Sequence, residues 1–299
     1  YSFGSDVLQT GENVIAVRVI SNSGRGGFVF DKPYYLAVDA DTLDLKGEWK
    51  YKLGTTMPPL QGEPPVRWKP AGLYNRMIAP LLNYKIKGVI WYQGESNTRD
   101  PLLYEKTFPA LINNWRNKWK QGDFPFLFVQ LANFMETKAQ PTESDWAALR
   151  QAQLKTLSVA NTAMAVTIDI GEWNDIHPLN KADVGKRLAL AAQQVAKEPN
   201  AIGSPLYVSH QIKGNKIVIH FKQTGSGLIT KGDALKYFAI AGADKKFVWA
   251  KARIEGNTIV VWSDAVTNPV AVRYAWADNP EGANLFNKEG LPASPFSTD

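Results

Sequence analysis

Three short apolar runs, KGVIWYQ at 87–93, FPFLFVQLA at 124–132 and AMAVTIDIG at 163–171, set the strongest limit on how this chain folds. Each is nearly continuous in hydrophobic residues and of strand length, the pattern of strands covered on both faces. Helical periodicity follows them. Apolar residues recur at 104, 108, 111, 115 and 119, then at 146, 149, 154 and 157, and last at Val184, Leu188, Ala191 and Val195. Thr142 or Ser144 is placed to cap the second helix. Alternation of this kind predicts an α/β fold over 71–200, a parallel sheet with helices on both faces.

The flanks differ in texture. Residues 1–52 read as β: NVIAVRVI alternates, GRGG supplies a turn, and FVFDKPYYLAV leads into the hairpin-like TLDLKGEWKYKLG. These few strands are expected to be the end of a β-sandwich. The missing initiator methionine points the same way, to a processed or truncated product. Five prolines in TTMPPLQGEPPVRWKP make 53–70 a semi-rigid connector. From 201 to 299 the chain reads as an antiparallel β domain, with LYVSHQIKGNKIVIHF and FVWAKARIEGNTIVVWS each folding back at a Gly-Asn turn.

Composition removes several function classes. No cysteine is present, so disulfides, thiolate zinc sites and a cysteine nucleophile are excluded, and three histidines argue against a histidine-rich metal site. The net charge of +6 comes from 34 basic residues scattered among 28 acidic ones. The densest basic patch, RNKWK at 116–120, falls in a helical pattern and reads as a solvated face, so no nucleic-acid partner is expected. No run has the length and apolarity of a membrane span, and YSFGSDVLQT has no signal-peptide texture.

In an open parallel sheet, ligands bind outside the carboxyl ends of the strands, and here those ends are polar. The first run delivers Gln93, Gly94, Glu95, Ser96 and Asn97. Gln130 and Asn133 follow the second, and Asp169, Glu172, Asn174, Asp175 and His177 the third. His177 has Asp175 two residues before it and Pro178 just after, a setting for a general base held by a carboxylate. The alternative is a surface-loop histidine beside a common acid. His210 and His220 lie in alternating strands and read as structural. Gly94 permits close backbone approach and Asn97 offers an amide to a developing oxyanion, unless 94–98 is simply a capped strand-to-helix loop. Glu95 is either part of the site or an anchor for that loop. Of ten tryptophans, some suit sugar stacking, while Trp115 and Trp119 sit in a helix and read as core.

PAGLYNRMIAPLLNYKIKGVIWYQGESN, DIHPLNK and GLPASPF resemble the sialate O-acetylesterase family of carbohydrate esterases, a branch of the SGNH hydrolases. The resemblance implies an SGNH-hydrolase-like sheet at 71–200, preceded by part of an inserted, galactose-binding-like β-sandwich. It implies a serine mechanism without metal or cofactor, acting on O-acetylated sialic acid or another acetylated glycan, in a secreted or periplasmic setting. It assigns the oxyanion hole to Gly94 and Asn97 and the base to His177, with Gln93 and Glu95 beside the substrate. The family's acid stands three residues before the histidine, where this chain has Asn174; Asp175 is the first choice here, with Glu172 or a backbone carbonyl as substitutes. The family's GQSN nucleophile motif is absent, so the serine is expected on an N-terminal fragment of the same protein; Ser96 is the alternative nucleophile. Two further readings remain open: an acetylxylan or other plant-glycan esterase, and a non-catalytic carbohydrate-binding protein.

Overall fold

The computed structural model describes residues 2–21, 26–29, 31–38, 40–56, 58 and 70–299. Most of the expected proline-rich connector, and Gly24 and Arg25 of the expected turn, lie outside them. The chain divides into two compact units, Tyr1–Ile78 and Ala79–Asp299.

In the first unit the described β structure is one antiparallel hairpin, β1 (Tyr35–Val38) and β2 (Asp41–Asp44), in register Leu36 with Leu43. Phe28 stacks on Tyr34 at 4.6 Å and tilts against Trp49 at 5.1 Å. The alternating 13–20 segment forms no strand, and Val14 is 84% exposed. Alternation alone is insufficient, because a strand needs a neighbour for its backbone groups.

The second unit begins with the expected sheet. β3 (Val89–Trp91), β4 (Phe126–Val129) and β5 (Thr162–Ala165) are parallel, in the order β3-β4-β5. Helix α1 (Pro101–Trp119) is capped by Asp100, whose carboxylate accepts from Leu103 N–H, and carries a proline in its first turn. It covers the face bearing Phe126 and Phe128, with the Phe108 ring 5.9 and 5.2 Å from theirs. Helix α2 (Asp145–Lys155), capped by Ser144 as expected, packs beside it. Helix α3 (Lys181–Val195) takes the opposite face, where Ala191 joins Leu127 and Ala163 in one apolar cluster. Helices therefore lie on both faces.

On α1 the periodicity holds at Tyr104, Phe108 and Trp119, but Ile112 and Arg116 are buried more completely than Leu111 and Trp115. Arg116 tolerates burial because its guanidinium donates to the carbonyls of Phe124 and Ala160 at 2.9 and 2.8 Å.

The remaining residues form a β-sandwich. One sheet runs β11 (Lys251–Glu255), β12 (Thr258–Trp262), β7 (Lys216–Lys222), β6 (Leu206–Lys213). The other runs β10 (Val248–Trp249), β9 (Phe238–Ala241), β13 (Ala271–Tyr274), β15 (Phe296–Ser297). A short pair, β8 (Leu228–Thr230) with β14 (Leu285–Asn287), completes it. Both Gly-Asn turns join paired strands as expected. Ile217, Ile219, Ile259 and Val261 from one sheet meet Phe238, Ile240, Val272 and Phe296 from the other in a single core.

Candidate active site at the strand ends

Parallel pairing puts the segments after β3, β4 and β5 at one edge of the sheet. After β3 the backbone turns at Gly94, with φ 153°, and Glu95–Asn97 form one 3-10 turn closed by Asn97 N–H donating to Gly94 O at 2.8 Å. A Cβ on Gly94 would stand 2.9 Å from Leu149 Cδ2 and 3.1 Å from Gln153 Nε2, so both conformation and space require glycine. Gln93 Nε2 donates to Asn97 Oδ1 at 2.6 Å. That bond occupies the Asn97 carbonyl and leaves its Nδ2 as the donating side, so Gln93 orients the Asn97 amide. Ser96, in the middle of the turn, is exposed.

The buried Gln153 side chain on α2 joins the first two segments. Its Nε2 donates to Gln93 O and Val129 O, both at 3.3 Å, and its Oε1 accepts from Leu131 N–H at 2.9 Å. Tyr104 adds a long bond to Gln93 O, 3.4 Å, and its burial pushes the phenol pKa up to about 12. Burial first, and then the Glu95 carboxylate, raise Tyr92 as well.

Gln130 and Asn133, the polar residues that follow the second strand, have partners within the fold. Gln130 Nε2 donates to Arg150 O at 3.1 Å and Ser294 Oγ at 2.9 Å. Asn133 Nδ2 donates to Asn279 Oδ1 at 3.0 Å, and its Oδ1 accepts from Gly171 N–H at 2.8 Å. Behind them sits Arg150, fully buried, donating to the carbonyls of Leu131, Ala132, Ala277 and Asp278 at 2.7 to 2.9 Å. Burial pulls its pKa down to about 9, partly opposed by the Asp278 carboxylate, so it stays charged at neutral pH. No local pattern in the sequence marks Arg150 or Gln153; both lie on an amphipathic helix face among apolar residues.

The segment after β5 is folded on itself. Asp169 forms a two-pronged pair with Arg187, at 2.5 and 2.8 Å, fixing the start of the loop to α3. Glu172 Oε1 accepts from Leu179 N–H at 2.7 Å, and Asp175 Oδ1 from His177 N–H at 2.8 Å. The His177 ring is 89% exposed, with Nδ1 3.9 Å from Asp175 Oδ1, a charge-pair distance longer than a hydrogen bond. Met135 N–H donates to Trp173 O at 2.8 Å, joining this loop to the one after β4. Lys181, at the start of α3, holds its Nζ 5.1 Å from the Tyr92 ring centre, which brings it to the base of the Gln93–Asn97 turn. His210 Nδ1 meets Tyr207 Oη at 2.8 Å, the structural setting expected of it. Among the described residues, no group of three His, Asp or Glu is arranged to hold a metal, and no helix is long and apolar enough to cross a membrane.

Comparison with known proteins agrees with this architecture. Residues 59–194 match the family described as "Carbohydrate esterase, sialic acid-specific acetylesterase". The sialate O-acetylesterase of Homo sapiens is 31% identical over 254 residues, covering 75% of this chain and 48% of that protein. The Mus musculus sialate O-acetylesterase is 32% identical over 252 residues, covering 75% and 46%. The crystal structure of a carbohydrate acetylesterase from Xanthomonas citri is 49% identical with a TM-score of 0.73, covering 76% of this chain and 54% of that one. The chain thus spans about half the length of the relatives it matches. By sequence and by fold, it belongs to the sialic acid-specific acetylesterase family of carbohydrate esterases.

Proposed function

We propose that this chain supplies the base and the oxyanion donors of a carbohydrate O-acetylesterase that removes acetyl groups from sialic acids by a serine-histidine mechanism. The serine comes from a segment of the same protein outside residues 1–299. The observation that carries the reading is the oriented Asn97 amide on a glycine-dependent turn, at the same sheet edge as the His177 loop. In support of a segment beyond 1–299, β3 is an outermost strand of a parallel sheet, has no second partner among the described residues, and leaves Ile90 70% exposed. The relatives' greater length accommodates such a segment.

In this mechanism the serine hydroxyl attacks the acetyl carbonyl carbon and His177 takes its proton, with Asp175 beside Nδ1 as the acid. Gly94 N–H and Asn97 Nδ2 donate to the oxyanion. Collapse of the tetrahedral intermediate expels the sugar oxygen, which takes the proton from His177. Water, activated by the same imidazole, then releases acetate and restores the serine.

The test uses the full-length protein. His177 is exposed, so His177→Ala should leave folding intact while lowering acetate release from acetylated sialic acid by about 10³-fold or more. Asn97→Ala should lower kcat by about 10²-fold or more. A serine-directed fluorophosphonate should label a serine outside 1–299. Labelling at Ser96, or an active His177→Ala enzyme, overturns the assignment, and faster release from acetylated xylan overturns the choice of sugar.

A further inference from the structure

A cleft of about 330 Å³ lies where the loop after β4 meets β9 and β10 of the sandwich, lined in part by Lys138, Ala139, Lys236, Tyr237 and Trp249. Two of the aromatic residues that line it meet edge to face, Tyr237 and Trp249 having centroids 5.5 Å apart and planes at 80°. Tyr237 holds φ at 62°, a left-handed conformation that a bulky residue adopts only where its surroundings hold it. Ala275 N–H fixes that strained residue through its carbonyl at 2.9 Å. Trp249 donates its Nε1–H to Ala139 O at 2.8 Å. Its polar atom is thereby occupied and its partly exposed ring is left as an apolar surface.

Lys138 and Lys236 approach from two elements, and among the described residues neither ammonium is in an ion pair. Burial first, and then the nearby Glu281 carboxylate, disfavour ionisation of Tyr237, so Glu281 is an opposing charge at this cleft. The loop carrying Lys138 starts at the Met135 to Trp173 bond, so cleft and candidate site share one connecting loop.

We infer that this cleft binds a carboxylate-bearing pyranose: the C–H face of the ring on Trp249, its edge against Tyr237, and the carboxylate between Lys138 and Lys236. It serves as an accessory subsite for an acidic unit of the glycan, away from the acetyl group that reacts. The binding stands on the cleft alone; its use during turnover rests on the esterase reading.

Methyl β-D-glucuronide and methyl β-D-glucoside differ at C6 as carboxylate and hydroxymethyl, so they isolate the charge. Titrated into the intact protein by calorimetry, the glucuronide should bind about tenfold more tightly than the glucoside, the gain of roughly one partly desolvated charge contact. Lys138→Ala combined with Lys236→Ala, both exposed positions, should erase that difference, and Glu281→Gln should tighten glucuronide binding about twofold. Equal affinity for the two sugars, no saturable binding of the glucuronide, or a double variant that keeps the preference overturns the proposal. His177→Ala should bind the glucuronide unchanged. Glucuronide binding by a protein that hydrolyses no acetyl ester would therefore sink the esterase reading alone, and esterase activity without glucuronide binding would sink the subsite alone.

Discussion

Replacing Arg150 by methionine removes the guanidinium bonds to the carbonyls of Leu131, Ala132, Ala277 and Asp278 while keeping most of the side-chain volume; Ala132 O keeps the Trp146 Nε1–H and Asp278 O the Phe134 N–H. A hydrogen bond from a charged donor contributes about 1.5–3 kcal/mol net, but the four do not add, because methionine also relieves the desolvation of a buried cation. A buried carbonyl left without a donor costs about 1–3 kcal/mol, and two of the four, Leu131 O and Ala277 O, lose their donor outright. A loss near 4 kcal/mol is a large fraction of the roughly 5–15 kcal/mol that holds a folded domain. With a slope of about 3 kcal/mol per molar, the urea midpoint should fall by about 1–2 M. Arg150→Lys keeps the charge with fewer, differently directed donors and should lose about half as much. Urea unfolding followed by tryptophan fluorescence measures both. A methionine variant within about 1 kcal/mol of the parent, with an unchanged slope, would show that those carbonyls need no guanidinium, and the account of how the strand-end loops are held would fail.

Gly94→Ala places a Cβ 2.9 Å from Leu149 Cδ2 on a backbone that disfavours any side chain, so about 2–4 kcal/mol of stability should be lost; an unchanged thermal midpoint contradicts this. Tyr104 keeps its proton in the folded protein up to about pH 12, whereas in the unfolded chain it ionises near 10. The folded state therefore binds more protons between those values, and stability falls as pH rises through that window. Tyr104→Phe should flatten that part of the profile without abolishing it, since burial raises Tyr274 in the same direction; an unaltered slope speaks against the burial argument.

The layer order of the second unit was legible because its signals are periodic. β4 is buried at every position, as a two-faced strand must be, and Ser144, one of two cap candidates, starts α2, whereas α1 starts behind Asp100, a cap not singled out from the sequence. The strand ends were legible by position, since parallel strands put their polar tails together whatever the tails do. What those tails do was less visible. Gln130 and Asn133 look like ligand-facing amides in sequence, yet their partners are Ser294 and Asn279, more than 140 residues away. Arg150 and Gln153 carry no signal, because burial of a polar group is decided by carbonyls that other segments bring to it. The 13–20 segment shows the reverse error: a strong local pattern without a neighbour does not become a strand.

Helix α2 serves the sheet and the sandwich at once. Gln153 and Arg150 reach one side, Leu154 packs against the sandwich core, and Gln151 bonds the backbone of Ser297 in β15. Next to it, Arg273 of β13 pairs with Glu143, just before the helix. A seam of buried polar bonds cannot part halfway, since each half-open state would leave a guanidinium or amide stripped of both water and partner. The strand-end loops and the sandwich are thus expected to melt in one transition, and those loops borrow their stiffness from a layer on the far side of the helix.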